Sequence, residues 1–141
     1  MNPNEKRFQE IYVEFQVLSN SIKQLEKQGS DLENHLLELM VTKQSLVDME
    51  KVKPGTEILV PLSAGIYARA DIKENDTFIV NVGSNIALSK NLASTQKIIE
   101  DQISEIRKLQ ENLSQELGVN TAKAAELEEE LNKIASSLQD K

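Results

Sequence analysis

The hydrophobic positions of this chain form two long stripes of helical spacing, separated by a segment with a shorter period. The first stripe advances alternately by three and four residues, and only Gly29 and Lys43 interrupt its apolar character. Its members are Phe8, Ile11, Phe15, Leu18, Ile22, Leu25, Gly29, Leu32, Leu36, Leu39, Lys43 and Leu46. A mean spacing of about 3.5 residues keeps one stripe facing a partner helix along a supercoil. The pattern predicts a coiled-coil helix over residues 1–53.

The predicted ends of this helix carry the residue types that begin and end helices. Asn2 can cap the helix, Pro3 suits the first helical position, and Glu5 falls in the first turn, where a negative charge is favourable. Pro54 and Gly55 follow the last apolar positions, and both residue types stop a helix. We therefore expect the first helix to occupy the whole segment before Pro54.

A second stripe of the same spacing fills the other end of the sequence. It is interrupted by Gln96, Gln110 and Asn120. Its members are Leu92, Gln96, Ile99, Ile103, Ile106, Gln110, Leu113, Leu117, Asn120, Ala124, Leu127, Leu131, Ile134 and Leu138. Because a lone helix cannot cover such a stripe, residues 91–141 are predicted to form a second helix that packs against the first.

Between the two stripes the period of the apolar residues changes to two, which is typical of strands. Four short strands are predicted, at residues 57–61, 66–73, 77–82 and 86–89. The intervening turns LSAG, KEND and GSN are rich in residues that accept turn conformations. We predict two β-hairpins over residues 54–90.

The predicted fold class is mainly α: a long antiparallel two-helix coiled coil with a central insert of two β-hairpins. Folding back would bring Leu46 near Thr95 and Phe8 near Ile134. An insert this small cannot bury a core alone, and two hairpins leave unpaired strand edges. We therefore expect the insert to assemble with other subunits. The predicted oligomerisation residues are apolar: Ile58, Val60, Ile66, Phe78, Val80 and Val82.

Composition and charge narrow the possible partners. Aromatic residues make up only 4% of the 141 residues, as in long helices rather than round globules. The net charge of −7, without a cluster of Lys and Arg, argues against nucleic acid and anionic membranes as partners. The sequence has no Cys, which is compatible with a reducing cytosol, and neither a secretion signal nor a membrane-spanning run is visible. We expect a cytoplasmic protein.

The sequence offers no constellation of catalytic residues. His35 is the only histidine and has no evident partner, and the turn VGSN lacks the Lys of a phosphate-binding loop. The acidic residues between positions 126 and 130 fit ordinary solvated positions of a coiled coil better than a cation site. We predict that the chain is not an enzyme and has no catalytic residues, no cofactor and no metal.

The central segments EILVPLSAGIYARADI and FIVNVGSNIALSK resemble the signature of α-class prefoldin subunits, and the resemblance extends over the full chain. It implies a hexamer of two α-class and four β-class subunits, in which the hairpins form an intersubunit β-barrel bearing six coiled coils. β-class subunits have one hairpin, so the second hairpin, at residues 77–89, implies the α class, and the short chain suggests an archaeal type. The resemblance further implies an ATP-independent holdase that captures unfolded proteins and passes them to a group II chaperonin.

The ends of the two helices are the predicted client-binding sites. Three of the five aromatic residues lie there, at positions 8, 12 and 15. The client-binding residues are predicted to be Phe8, Ile11, Tyr12, Phe15, Leu127, Leu131, Ile134 and Leu138. Ordinary packing of these side chains within the coiled coil is the alternative, in which case clients would contact the inner flanks of the helices. The alternative for the whole protein is a structural coiled-coil scaffold without chaperone activity, which would not need two central hairpins.

Overall fold

The computed structural model describes residues 2–139, so the first residue and the last two of the predicted helical segments lie outside it. In chain order, the elements are α1 (Pro3–Glu50), β1 (Glu57–Ser63), β2 (Ile66–Asp71), β3 (Thr77–Asn81), β4 (Ala87–Asn91) and α2 (Leu92–Gln139). Two long helices with a central pair of hairpins confirm the predicted fold class.

The chain divides into two compact units, each with segments of both helices. The helical unit comprises Met1–His35 and Ile106–Lys141, and the hairpin unit comprises Leu36–Glu105. Within residues 2–139, the helical unit contains no strand, whereas the hairpin unit contains all four strands.

Both helices begin at an asparagine cap. The side-chain oxygen of Asn2 accepts a hydrogen bond from the backbone N–H of Asn4 at 3.0 Å, and Pro3 is the first residue of α1, as predicted. At the start of α2, the side-chain oxygen of Asn91 accepts a hydrogen bond from the backbone N–H of Ser94 at 2.8 Å. Each cap satisfies a backbone donor that the helix itself leaves without a partner.

The core of the helical unit lies where α1 and α2 pack antiparallel. Ile11, Leu127 and Leu131 are buried there, and Ile11 is only 2% exposed. Phe8, Phe15, Leu18 and Ile134 pack around them. Phe8 and Ile134 therefore contact the same cluster, as the predicted antiparallel pairing requires.

Both predicted stripes face inward along their whole length. Every stripe position is buried or half-buried except Lys43, which is exposed. Gly29, which interrupts the apolar pattern of the first stripe, has a packing role: a Cβ added there would lie 3.1 Å from Cδ2 of Leu113. The missing side chain thus lets Leu113 approach the backbone of α1 closely.

Alanine substitutions at the two helical glycines should separate this close approach from helix propensity. Gly118 has open space around its Cα, so Gly118→Ala should stabilise the fold by about 0.8–1 kcal/mol through helix propensity alone. Gly29→Ala should stabilise it less, because the new methyl group must displace Leu113. Urea unfolding followed by circular dichroism, at one protein concentration, measures the difference. Equal stabilisation by both substitutions would contradict the close contact.

The core of the hairpin unit is small and lies on its helix segments. Its buried side chains are Leu36, Leu39, Leu46, Thr95 and Ile103. Leu46 and Thr95 are both buried, and the pairing of these two positions stays a prediction. The Thr95 hydroxyl donates a hydrogen bond to the backbone oxygen of Asn91 at 2.8 Å, which allows a polar side chain to be buried at this site.

The turn between the two hairpins is fastened to the end of α1. The Asn75 side-chain amide donates hydrogen bonds to the backbone oxygens of Val52 at 2.9 Å and Glu50 at 3.3 Å. At the other end of the insert, the backbone N–H of Leu92 donates to the oxygen of Asp76 at 3.0 Å. These bonds tie both helix termini to the same turn.

The two hairpins are separate antiparallel sheets. In the first, β1 pairs with β2 across the two-residue turn Ala64–Gly65, whose φ values of 44° and 82° fit the tight left-handed turn of a hairpin. The register shifts between Pro61 and Ser63, so the strand contains an irregularity there. In the second, β3 pairs with β4 in regular register.

Candidate interaction surfaces

The helical unit gathers most of the predicted client-binding residues into one place. Six of the eight belong to the apolar cluster described above: Phe8, Ile11, Phe15, Leu127, Leu131 and Ile134. Tyr12 lies beside the cluster, is exposed and stacks on Phe8 with ring centroids 6.3 Å apart, and Leu138 is half-buried. The most buried of these side chains, such as Ile11, pack between the two helices and are not accessible to a partner in this structure.

An exposed apolar surface beside this cluster was not predicted from the sequence. Val13 and Val17 are 60% and 62% exposed, and with Tyr12 they form an outward strip on α1. Val13 and Val17 are four residues apart and therefore lie on one face of the helix, and Tyr12 lies on the adjoining side. The four-residue spacing of the two valines can be read from the sequence. They were not predicted as a surface because the heptad pattern identifies only the stripe that packs against the other helix, and both valines lie outside it.

Two ion pairs link the helices in the same unit. Arg7 lies 3.0 Å from a carboxylate oxygen of Glu130, and Lys123 lies 3.3 Å from one of Glu14. Because all four side chains are exposed, each pair contributes at most about 1 kcal/mol. They mainly fix the register of α1 against α2.

The first hairpin presents apolar side chains on both faces. Ile58 pairs with Ala70 and Val60 with Ala68, so these four side chains share one face. Ile66 follows on the same face by the alternation of β2 and is 61% exposed. The other face carries Leu59 and Tyr67, which are also exposed. The predicted residues Ile58, Val60 and Ile66 therefore share a face, and Leu59 extends the apolar surface to the opposite one.

The second hairpin has the same character. Phe78 and Val80 lie on one face together with Leu88 of β4, and Val82 continues this face beyond the strand. Val82 is exposed, whereas Phe78 and Val80 are half-buried. Ile79 points to the opposite face, is 75% exposed and is not among the oligomerisation residues predicted from the sequence. Because Phe78, Ile79 and Val80 are consecutive apolar residues of a strand, the sequence itself indicates that both faces of this strand are apolar.

Each hairpin also has unpaired strand edges. Within residues 2–139 the sheets contain two strands each, in the orders β1-β2 and β3-β4, and no ladder connects them. Every strand therefore has one edge whose backbone N–H and C=O groups can accept a further strand. Open edges combined with apolar faces give these hairpins the features of an incomplete sheet.

A second exposed apolar strip lies on α1, within the hairpin unit. Leu37, Met40 and Val41 point away from the buried stripe and are 46–66% exposed. Their spacing of three and four residues puts them on one helix face. These three residues were not predicted from the sequence, because they adjoin the first stripe without belonging to it.

The described residues contain no cluster that would hold a metal ion. Across residues 2–139, no group of three or more His, Asp or Glu side chains converges on one point. His35 is exposed. None of the helices in this range combines the length and the apolar character that crossing a bilayer requires. That the protein is not an enzyme and binds no cofactor stays a prediction from the sequence.

Comparison with protein families gives a match over most of the chain. The model of the family described as prefoldin subunit matches residues 18–137. The protein named prefoldin subunit alpha from Thermofilum pendens is 30% identical over 115 residues, which cover 82% of this chain and 89% of that protein. The protein of the same name from Pyrococcus horikoshii is 27% identical over 141 residues, which cover 99% of this chain and 90% of that protein.

A solved structure shares the fold. The chain in the cryo-EM structure of filamentous PFD from Methanocaldococcus jannaschii superposes with a TM-score of 0.73 at 22% sequence identity. The superposition covers 80% of this chain and 93% of the other. Two long helices around central hairpins are thus an arrangement that this chain has in common with a structurally characterised protein.

Proposed function

This chain belongs to the prefoldin family, and we propose that it is the α-class subunit of a hetero-hexameric, ATP-independent holdase. In this proposal two copies assemble with four β-class subunits, capture unfolded proteins and deliver them to a group II chaperonin. Prefoldins are chaperones rather than enzymes, and their subunits form complexes with one another. The named archaeal relatives are themselves α subunits, which supports the assignment to the α class.

The observation that carries the proposal is the pair of hairpins with apolar faces and open edges. A rod that only tethers two partners needs neither feature. Burying the exposed side chains of the hairpins against other subunits would contribute roughly 25 cal/mol per Å² of apolar area removed from water. Joining the open edges would supply the missing strand partners and could close the hairpins into an intersubunit β-barrel.

Client capture is proposed to occur on the apolar surface of the helical unit. Tyr12, Val13 and Val17 are accessible as the structure stands, and the buried cluster beside them becomes accessible only if the helices separate there. Each surface is small, so one subunit binds weakly. Several subunits acting on one unfolded chain raise the apparent affinity without strong individual contacts, and the client can leave by successive release of weak contacts.

The function is tested by light scattering from several unrelated proteins diluted out of denaturant. The full-length chain, assembled with a β-class subunit, should suppress aggregation of all of them in proportion to its concentration. An equal amount of an unrelated coiled-coil protein serves as the control. A coiled-coil scaffold would leave the scattering unchanged, and that outcome would refute the holdase proposal.

Client capture should not depend on nucleotide, because the sequence has no phosphate-binding loop and the described residues hold no metal cluster. We expect equal suppression of scattering with ATP, with ADP and after enzymatic removal of both. The apparent affinity for a labelled denatured client should also change by less than about twofold, which corresponds to roughly 0.4 kcal/mol. A larger rise in affinity with ATP would contradict this prediction.

A further inference from the structure

A groove of about 500 Å³ opens between the two helices of the helical unit. Its apolar lining consists of Leu32 from α1 and of Leu109 and Leu113 from α2. Leu109 is 46% exposed, so this lining is open to a partner. Leu113 is also the side chain that approaches Gly29, and the close packing there fixes one wall of the groove.

The charged side chains that line the groove are acidic. Asp31 lines it from α1 and Glu116 from α2, and no Lys or Arg contributes to the lining. Among residues 2–139, neither carboxylate lies within 4 Å of a Lys or Arg nitrogen. The groove thus combines an apolar surface with two carboxylates that form no ion pair with the described residues of the chain.

Other carboxylates of the same unit behave differently. Glu14 and Glu130 each pair with a basic side chain of the opposite helix, and Glu33 accepts a hydrogen bond from the side-chain amide of Gln110 at 3.0 Å. These groups are used to hold α1 and α2 together. Asp31 and Glu116 lie on the two sides of an open apolar surface, where a partner can reach them.

A polypeptide segment that combines basic and apolar side chains is complementary to both the apolar lining and the carboxylates of the groove. The aliphatic stem of an arginine or lysine can lie along leucine side chains while its charged head meets a carboxylate. Neighbouring leucine-like side chains of the same segment can bury Leu109. A segment with acidic side chains would instead place like charges together, which is unfavourable.

We propose that this groove binds short unfolded segments in which arginine or lysine alternates with apolar residues. The proposal rests on the proposed holdase function and adds a preference among clients to it. Basic apolar segments are held at the groove as well as at the ends of the helices, while neutral apolar segments use the helix ends alone.

The test measures the binding of three fluorescent peptides to the full-length chain assembled with a β-class subunit. The peptides have equal length and equal leucine content, and their intervening residues are Arg, Gln or Glu. We expect the Arg peptide to bind tightest and the Glu peptide weakest. Asp31→Asn combined with Glu116→Gln should weaken the Arg peptide by about three- to tenfold and leave the Gln peptide unchanged.

A matched variant controls for the overall charge of the chain. Glu38→Gln combined with Glu100→Gln makes the same change in net charge at exposed positions of the hairpin unit, outside the groove. It should leave the affinity of all three peptides unchanged. Leu109→Gln removes exposed apolar surface from the groove and should weaken the Arg peptide more than the Gln peptide.

A label reports where the peptide binds. The chain has no Cys, so Asn112→Cys introduces a single thiol at the groove that can carry a fluorophore before assembly. An Arg peptide bearing a quencher should quench this label. It should quench much less a label at Ser94→Cys, an exposed position of the hairpin unit that lies 18 residues before Asn112 in the sequence. Equal quenching at both positions would overturn the assignment to the groove.

The outcomes separate this proposal from the function on which it rests. If denatured clients and all peptides fail to bind, both are wrong. If clients bind but the Arg peptide shows no preference, or if the groove variant keeps its full affinity, the groove proposal alone is wrong. A change in the size of the assembly in the groove variant, without a change in peptide binding, would show that another subunit covers the groove and would also overturn it.

Discussion

Replacing residues 56–90 by a short flexible turn is expected to abolish the complex with β-class subunits while leaving helical chains. The replacement removes all strand residues except Asn91, and with them both the apolar faces and the open edges. Burying one large aliphatic or aromatic side chain contributes about 1.5–3 kcal/mol. Loss of all the apolar side chains of the hairpins should therefore remove most of the free energy that holds the subunits together. Size-exclusion chromatography with light scattering measures the loss, and circular dichroism checks the helices.

Point variants sharpen this prediction without removing the insert. Ile66→Ser and Val82→Ser each replace an exposed predicted oligomerisation residue and should weaken assembly severalfold or more. Ile79→Ser tests the opposite face, which only the structure identifies. Lys73→Ser, at an exposed position between the hairpins, is the matched control and should assemble normally. A stable six-chain complex formed by the deletion variant would rule out the hairpins as the main assembly element.

Removing residues 1–15 together with residues 127–141 is expected to leave assembly intact and to weaken client capture about tenfold. The proposed assembly residues all belong to the hairpin unit, so the removed segments contribute none of them. The removed segments do contain the client-binding residues predicted from the sequence. Because β-class subunits can also hold clients, the loss should be partial and should differ among clients. Size-exclusion chromatography and scattering assays on several denatured proteins measure the two effects.

A milder variant tests the same surface without removing the buried cluster. Tyr12→Ser, Val13→Ser and Val17→Ser in combination remove the exposed strip of α1 and leave Ile11 and its buried neighbours in place. Val119→Ser is a matched control, since this valine is 68% exposed on α2 of the same unit.

If the assembly that lacks residues 1–15 and 127–141 protects several clients as well as the full-length one does, the assignment of client binding to the helix ends is wrong. Binding on the inner flanks of the helices is then the alternative.

The regular part of the fold was predictable because it follows from local periodicity. A stripe of 3.5-residue spacing has only one stable solution, which is burial against another helix, and even the polar members Gln96 and Asn120 are half-buried as stripe positions. The hairpins followed from period-two alternation between turn-forming residues. Asn2 and Pro3 marked the beginning of α1 correctly because capping is a local interaction.

Other features depend on how two distant segments meet. Thr95 is buried although it lies beside the predicted stripe, because its hydroxyl finds a backbone oxygen one turn earlier. The apolar pattern marked Gly29 as an interruption, but its close contact with Leu113 depends on the register between the helices. The groove near Asp31 and Glu116 arises from both helices and therefore has no signature within either of them.

The two junctions between helix and hairpin differ in a way that bears on how the chain can change in length. Six residues separate α1 from β1, whereas β4 ends at Asn91 and α2 begins at the next residue, Leu92. One residue inserted directly after Asn91 would rotate the apolar stripe of α2 by about 100°, since an α-helix has 3.6 residues per turn. An extra residue in the connector at 51–56 can be taken up by loop without turning either stripe. Insertions and deletions among related sequences are therefore expected at the first junction and excluded from the second.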